Sequence, residues 1–182
     1  MTDFDSLLDA ETEHAIAKKR SLNPKTEDFK PRCIIVGPGG EIAMLPILGW
    51  GEDRYRFMNA VSQTAKAAEA QAVMLTTDMR KLEPEAFCEH FGVPIPTRKT
   101  IKEFQVNYRR ILEDHNNTMA NLPRACWSEM IIVAIYGPRV KIAKLIDYTW
   151  TDDGTYTFAE PMIVKDEAAQ QLQIGIIPAW WN

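Results

Sequence analysis

Apolar residues recur at two periods along this chain, and the switches between them divide it into elements. Residues 4–20 carry a helical period. Phe4, Leu7 and Leu8 open an apolar stripe that Ala15 and Ile16 continue, and Lys18, Lys19 and Arg20 fill the last turn, where cations suit the helix dipole. Residues 21–31 are polar, contain Pro24 and Pro31, and read as a linker or surface loop. Residues 32–36 form a strand, Gly37-Pro38-Gly39-Gly40 a turn, and residues 41–48 an alternating return strand, so 32–48 is a hairpin. Ile42, Met44 and Leu48 fall on one of its faces, and Ala43, Leu45 and Ile47 on the other. After Gly49-Trp50-Gly51 the period returns to helical over 52–70. Phe57, Val61, Ala65 and Ala68 line one side, with Tyr55 and Met58 beside them.

Residues 71–77 are apolar on both faces, the pattern of a central strand. The segment 79–125 has a different character. A short helix opens at Pro84, runs through Phe87, Cys88 and Phe91, and stops at Gly92. A second helix, with Thr97 as its N-cap, places Ile101, Phe104, Tyr108, Ile111, Leu112, His115 and Met119 on one face. Residues 128–136 read as another central strand and 140–151 as a long alternating one. Asp152-Asp153-Gly154 is a hairpin turn. Residues 155–164 return, with Pro161 marking an edge. Residues 166–172 make one or two helical turns, and 174–182 form an apolar tail ending in Trp180 and Trp181.

The order is α-ββ-α-β-(αα insertion)-βββ-(α). It predicts an α+β fold with a single, largely antiparallel sheet of about six strands and helices on one or both faces. The expected organisation is an N-terminal helix plus linker over 1–31, and one α+β domain over 32–182 with a helical insertion at 79–125.

Composition narrows the class. The chain has 182 residues, 46% hydrophobic and 25% charged, with a net charge of −4, ordinary values for a globular protein. A domain of this size buries roughly 70% of its unfolded surface and needs no metal or disulfide to stabilise its core. No apolar run approaches the roughly 18 residues of a membrane span. The mild acidity argues against a nucleic-acid-coating protein. The sequence from Met1 lacks the pattern of a signal peptide, and three irregularly spaced cysteines fit a reducing compartment, so a cytoplasmic location is expected.

With the insertion set aside, the element order is similar to that of the roadblock and profilin-like platforms. That resemblance implies dimerisation or partner docking rather than catalysis. Cys33–Thr77 followed by Ser128–Phe158 also resembles small uncharacterised α/β proteins of phages and mobile elements, which implies no defined activity.

Candidate chemistry is sparse. The glycine turn at 37–40 leads into a strand and lacks the Lys-Ser or Lys-Thr of a phosphate loop. Asp78 follows a central strand as a turn or helix-start residue. With Glu129 or Asp147 it would make the carboxylate set of a metal-dependent phosphodiesterase or nuclease. His14, His90 and His115 form no ligand array, and His115, on an apolar stripe, is expected to be buried. Cys126, beside Trp127, lacks an adjacent base. No cofactor or metal is implied. The aromatic residues Trp150, Trp180 and Trp181 are candidate partner-binding positions, because Trp is enriched at binding hot spots.

The expected function is therefore a non-enzymatic protein-interaction or assembly module, self-associating or part of a larger assembly, and the second resemblance implies a phage or mobile-element origin. The alternatives are the carboxylate enzyme and a small-ligand or nucleotide sensor with an apolar pocket on the sheet face. If the tail is a docking segment, deleting residues 174–182 changes the mass measured by light scattering or abolishes partner capture, with helix content unchanged by circular dichroism. An unchanged mass and unchanged binding overturn that expectation.

Overall fold

A computed structural model describes residues 2–45, 54–97, 99–118, 121–151 and 153–171. The chain divides into two compact units, one of residues 1–79 with 130–182 and one of residues 80–129.

The larger unit holds a seven-stranded antiparallel sheet. In chain order its elements are α1 (Phe4–Arg20), β1 (Arg32–Val36), β2 (Ile42–Leu45), α2 (Arg54–Ala67), β3 (Ala72–Leu82), β4 (Trp127–Gly137), β5 (Val140–Trp150), β6 (Tyr156–Phe158), β7 (Met162–Lys165) and a final helix (Asp166–Gln171). The strands lie in the order β2-β1-β3-β4-β5-β6, and β7 also pairs with β5. β1 pairs with β2 with Ile34 opposite Met44, and with β3 with Ile34 opposite Met74. The α+β class with one sheet and helices on both faces is as the periodicity predicts.

The side-chain alternation of the central strands supplies both faces of the core. Cys33, Ile35, Val73, Leu75, Ile132, Ala134, Ala143 and Leu145 point to one side, where Met58, Val61 and Ala65 of α2 and Ala169 of the final helix cover them. Ile34, Val36, Met74, Ile131, Val133, Ile135, Ile142 and Ile146 point to the other, under Leu8 and Ala15 of α1 and Phe29. The sequence 1–31 is thus no free appendage: α1 is one of the layers. Its N-cap is Asp3, whose carboxylate accepts from the Ser6 amide at 3.1 Å.

The smaller unit packs α3 (Pro84–Phe91) against α4 (Ile101–Asp114) and a 3-10 turn at Arg124–Cys126. Phe87, Cys88, Leu112, Leu122 and Cys126 are buried there, with Phe91, Phe104 and Tyr108 against them. Gly92 ends α3 at φ 65°, a left-handed C-cap that Gly adopts without steric cost.

Several boundaries differ from expectation. β3 runs five residues past Thr77, so Asp78 lies inside the strand, not in a turn or at a helix start. α4 begins one turn later than Thr97. Its N-cap is Thr100, whose hydroxyl accepts from the Thr97 amide at 2.9 Å. His115 caps the C-terminus of α4 and is exposed, its ring 4.8 Å from that of Phe91, rather than buried. Ala68 is exposed because α2 ends at Ala67. The expected return strand 155–164 is two strands. Tyr148 faces Phe158 but Leu145 faces Met162, so three residues, Ala159 to Pro161, oppose two. Pro161 lacks the amide a ladder needs, and the strand bulges there. The outer parts of the expected elements at 46–48 and 52–53, and Met119, lie outside the described residues.

Gly137 marks a close approach of backbones. A Cβ there would lie 2.3 Å from the Gln71 carbonyl oxygen. Gly137→Ala is expected to lower stability by about 1–3 kcal/mol in urea unfolding, the range for forcing extra atoms into a packed site. An unchanged midpoint would show that the β4 end is free to shift.

Candidate functional site

The buried face of α1 has helical spacing, but much of it is polar. Leu8, Glu11, Thr12, Ala15 and Lys19 all point inward. Each charged group meets a partner on the sheet. Glu11 accepts from the Thr76 hydroxyl at 2.7 Å and pairs with Arg32 at 3.1 Å. Asp9, at the edge of this face, pairs with Lys144 of β5. Thr12 returns its hydroxyl to the Leu8 carbonyl at 2.7 Å.

The densest cluster lies at the C-terminal end of the helix. Lys19, only 6% exposed, places its Nζ 2.7 Å from Asp78 Oδ2. The other carboxylate oxygen, Oδ1, accepts from the Tyr148 hydroxyl at 2.8 Å. The same ammonium sits 4.8 Å from the Tyr148 ring centre and 5.6 Å from that of Tyr156. The two tyrosine rings meet edge-on at 5.9 Å, and Phe158 stacks on Tyr156 at 6.0 Å. Arg20 covers Phe158 at 5.1 Å. A cation thus occupies a cage of one carboxylate and aromatic faces, the combination that best replaces lost water around an ammonium.

β3 positions Asp78 by carrying the strand past Thr77, with Ala72, Met74, Thr76 and Asp78 on the α1 side. β5 positions Tyr148 in step with Ile142 and Ile146. Asp147, the residue before Tyr148, is exposed and turned to the opposite face, the side of Ala143 and Leu145. Asp78 and Asp147 therefore do not share a site. Glu129 accepts from Arg80 at 3.3 Å. Among the described residues, no three His, Cys, Asp or Glu side chains are grouped to hold a metal ion. Asp78 already uses both oxygens on an ammonium and a phenol, which suits holding a helix rather than binding Mg²⁺.

The glycine turn does bind an anion, its own. The Glu41 carboxylate accepts from the Gly39 amide at 2.8 Å, and a Cβ on Gly37 would lie 2.1 Å from it. All three cysteines are buried free thiols. Burial pushes the Cys33 thiol up to about 12 and moves those of Cys88 and Cys126 upward, away from the thiolate a nucleophile requires. A cleft of about 530 Å³ opens at the start of α1, between Arg139, Lys141 and Lys165 on one hand and Asp3, Asp5 and Asp166 on the other. Phe4, Val140 and Ile142 supply the apolar part of its lining. Trp150 is partly buried against the core on the α1 side. Trp180 and Trp181 lie outside the described residues.

In the sequence Lys19 stands with Lys18 and Arg20 as cations of the last turn of the helix, and no local motif marks Tyr148 or Tyr156. The signal that finds Lys19 is spacing: positions 8, 11, 12, 15 and 19 share one helical face. No protein-family model matches the chain, and no curated protein or solved structure matches it.

Removing Asp78 leaves a buried ammonium without its carboxylate. Asp78→Ala is expected to cost about 2–4 kcal/mol in urea unfolding, and Lys19→Met in the same Asp78→Ala background to recover most of it, since a pair removed together leaves no orphan charge. A double variant that loses the sum of the two single losses would show that the pair makes no coupled contribution.

Proposed function

We propose that this protein is a non-enzymatic interaction module whose working surface is β2, the end strand of the sheet among the described residues, and that its first partner is a second copy of the same chain. The observation that carries the reading is the chemistry of that edge. β2 is the end strand of the order, paired on one side with β1. Ile42 is 54% and Met44 64% exposed. Edge strands are ordinarily guarded by lysine, proline, a bulge or inward charge. Ile42-Ala43-Met44-Leu45 carries none of these within the strand, though Glu41 and Pro46 bound it in the sequence. The opposite edge is guarded: it is split into β6 and β7 by the bulge at Ala159 to Pro161, which carries Glu160 and a proline.

The strand is also self-complementary. Antiparallel pairing about a two-fold axis at Ala43 sets Ile42 against Met44 of the partner subunit, twice, and opposes no like charges. Each such apolar cross-strand pair contributes roughly 0.2–1 kcal/mol beyond the backbone bonds. The buried free thiols support a reducing, cytoplasmic setting. No described helix is long and apolar enough to cross a membrane.

Sedimentation equilibrium from micromolar to millimolar protein tests the reading. The wild-type chain is expected to move from monomer to dimer with concentration. Ile42→Lys is expected to remain monomeric with an unchanged thermal midpoint, because the position is exposed, and Met44→Lys to remain monomeric with a lowered one, because Met44 meets Arg32. A wild-type protein that stays monomeric throughout, or dimers that both lysine variants still form, would overturn it.

A further inference from the structure

Sulfur is unevenly divided between the inside and the outside of this chain. The three cysteine thiols are buried, and burial pushes that of Cys33 up to about 12, so none is offered to an oxidant as a thiolate. Met58, Met74 and Met130 are buried as well. Among the described residues, the sulfur open to solvent belongs to Met44, 64% exposed, Met162, 57%, and Met79, 39%. A thioether reacts with a peroxide without first losing a proton, so exposure and surroundings decide which one is oxidised.

Met44 is set apart by what it touches and where it lies. It sits on β2 opposite Ile34, on the α1 side of the sheet. Its Sδ lies 3.5 Å from Nη2 of Arg32, on the neighbouring strand β1. The other terminal nitrogen of Arg32, Nη1, is 3.1 Å from the Glu11 carboxylate of α1. The guanidinium is thus held from one side and presents a donor to the sulfur on the other. A thioether is a weak acceptor, and a sulfoxide oxygen is a strong one. Oxidation at this position makes a group for which the protein already holds a donor, without taking Arg32 from Glu11. The same change spoils the pairing of β2 with itself. Across the two-fold at Ala43, Met44 opposes Ile42 of the partner subunit twice, and a sulfoxide sets a polar group against an apolar one at both places. Met162 lies on β7, away from this contact.

We propose that Met44 is a reversible oxidation site that switches β2 pairing off, an inference that rests on the reading of β2 as a self-pairing strand. The oxidant is a peroxide. A lone pair of Sδ attacks one peroxide oxygen, the O–O bond breaks and an S–O bond forms. The departing hydroxide takes the proton from the transferred oxygen and leaves as water. The sulfur gives up two electrons, and the peroxide accepts them. A methionine sulfoxide reductase reverses the change, with two thiols oxidised to a disulfide and the oxygen released as water.

The test treats the full-length wild-type protein with hydrogen peroxide, locates the added oxygen by peptide mass spectrometry and measures the dimer by sedimentation equilibrium. Met162→Leu and Met44→Leu are treated alongside. Met44 is expected to take up oxygen at a dose that leaves Met58, Met74 and Met130 unchanged. The dimers of wild type and of Met162→Leu are expected to weaken by about tenfold or more. They recover when sulfoxide reductases for both epimers are added with dithiothreitol. Met44→Leu is expected to show the same dimer constant before and after peroxide, whatever constant it starts from, and if it does not dimerise the recovery by reductase decides alone. The thermal midpoint of the oxidised chain, taken where both forms are monomeric, is expected to match that of the untreated chain, because the new oxygen accepts from Arg32. An untreated wild type that never dimerises removes the reading of β2 and the switch with it. A wild-type dimer that survives oxidation of Met44, a peroxide loss that Met44→Leu shares, oxygen on the buried methionines before Met44, or a lowered midpoint overturns the switch and leaves the pairing of β2 standing.

Discussion

The arrangement of the larger unit depends on how α1 is held. One face of the sheet is a continuous apolar surface from Ile34 to Ile146, which must be covered. The helix that covers it brings only Leu8 and Ala15 as fully buried apolar residues, and Glu11, Thr12 and Lys19 as buried polar ones. Hydrophobic contact is non-directional and would tolerate a helix in several positions. Ion pairs are not so tolerant. Glu11 must meet Arg32 and Thr76, and Lys19 must meet Asp78, which fixes both the rotation and the axial position of α1. The cost is desolvation of several charges, which is recovered only because the carboxylates are also bonded by hydroxyls.

That constraint accounts for the main departure from the predicted secondary structure. Strand β3 was expected to stop at Thr77, where the apolar run ends. It continues through Leu82 because Asp78, although polar, has an inward partner. Periodicity reads a polar residue as the end of burial, and it cannot distinguish a solvated aspartate from one that faces a lysine 59 positions earlier. The same limit hid the split of the last strand. Pro161 signalled an edge, but the two-against-three mismatch is a property of the register with β5 and not of residues 155–164 alone.

The elements whose burial is purely apolar were legible. β1, β4 and β5 and the helix pair of the smaller unit lie within a few residues of where the hydrophobic period puts them, as does α1, although Glu11, Thr12 and Lys19 are among its buried residues. The alternation along β5 correctly separated Ile142, Ile146 and Tyr148 from Ala143 and Leu145. The site was legible only in part. Asp78 stood out as a carboxylate near the end of a central strand, but its partners come from α1 and β5, and no local motif joins them. Lys19 was masked by its neighbours: Lys18 and Arg20 are exposed, and a run of three cations reads as one solvated turn. Only the helical angle separates the middle one.

Two features that look like ligand chemistry in this chain are already satisfied by the chain itself. The glycine turn holds Glu41, and the aromatic cage holds Lys19. The two occupants differ in what holds them. Glu41 is two residues from the amide it meets, so its closure is local and short-range. Lys19 closes on Asp78 across 59 residues, through a helix whose remaining buried contacts include other charges. A local closure re-forms as soon as it opens, because the loop-closure entropy of so short a segment is small, whereas a long-range one depends on the docking of the whole element. The glycine turn is therefore a finished piece of backbone structure. The cage remains coupled to the position of α1, and through α1 to whether one entire face of the sheet is covered.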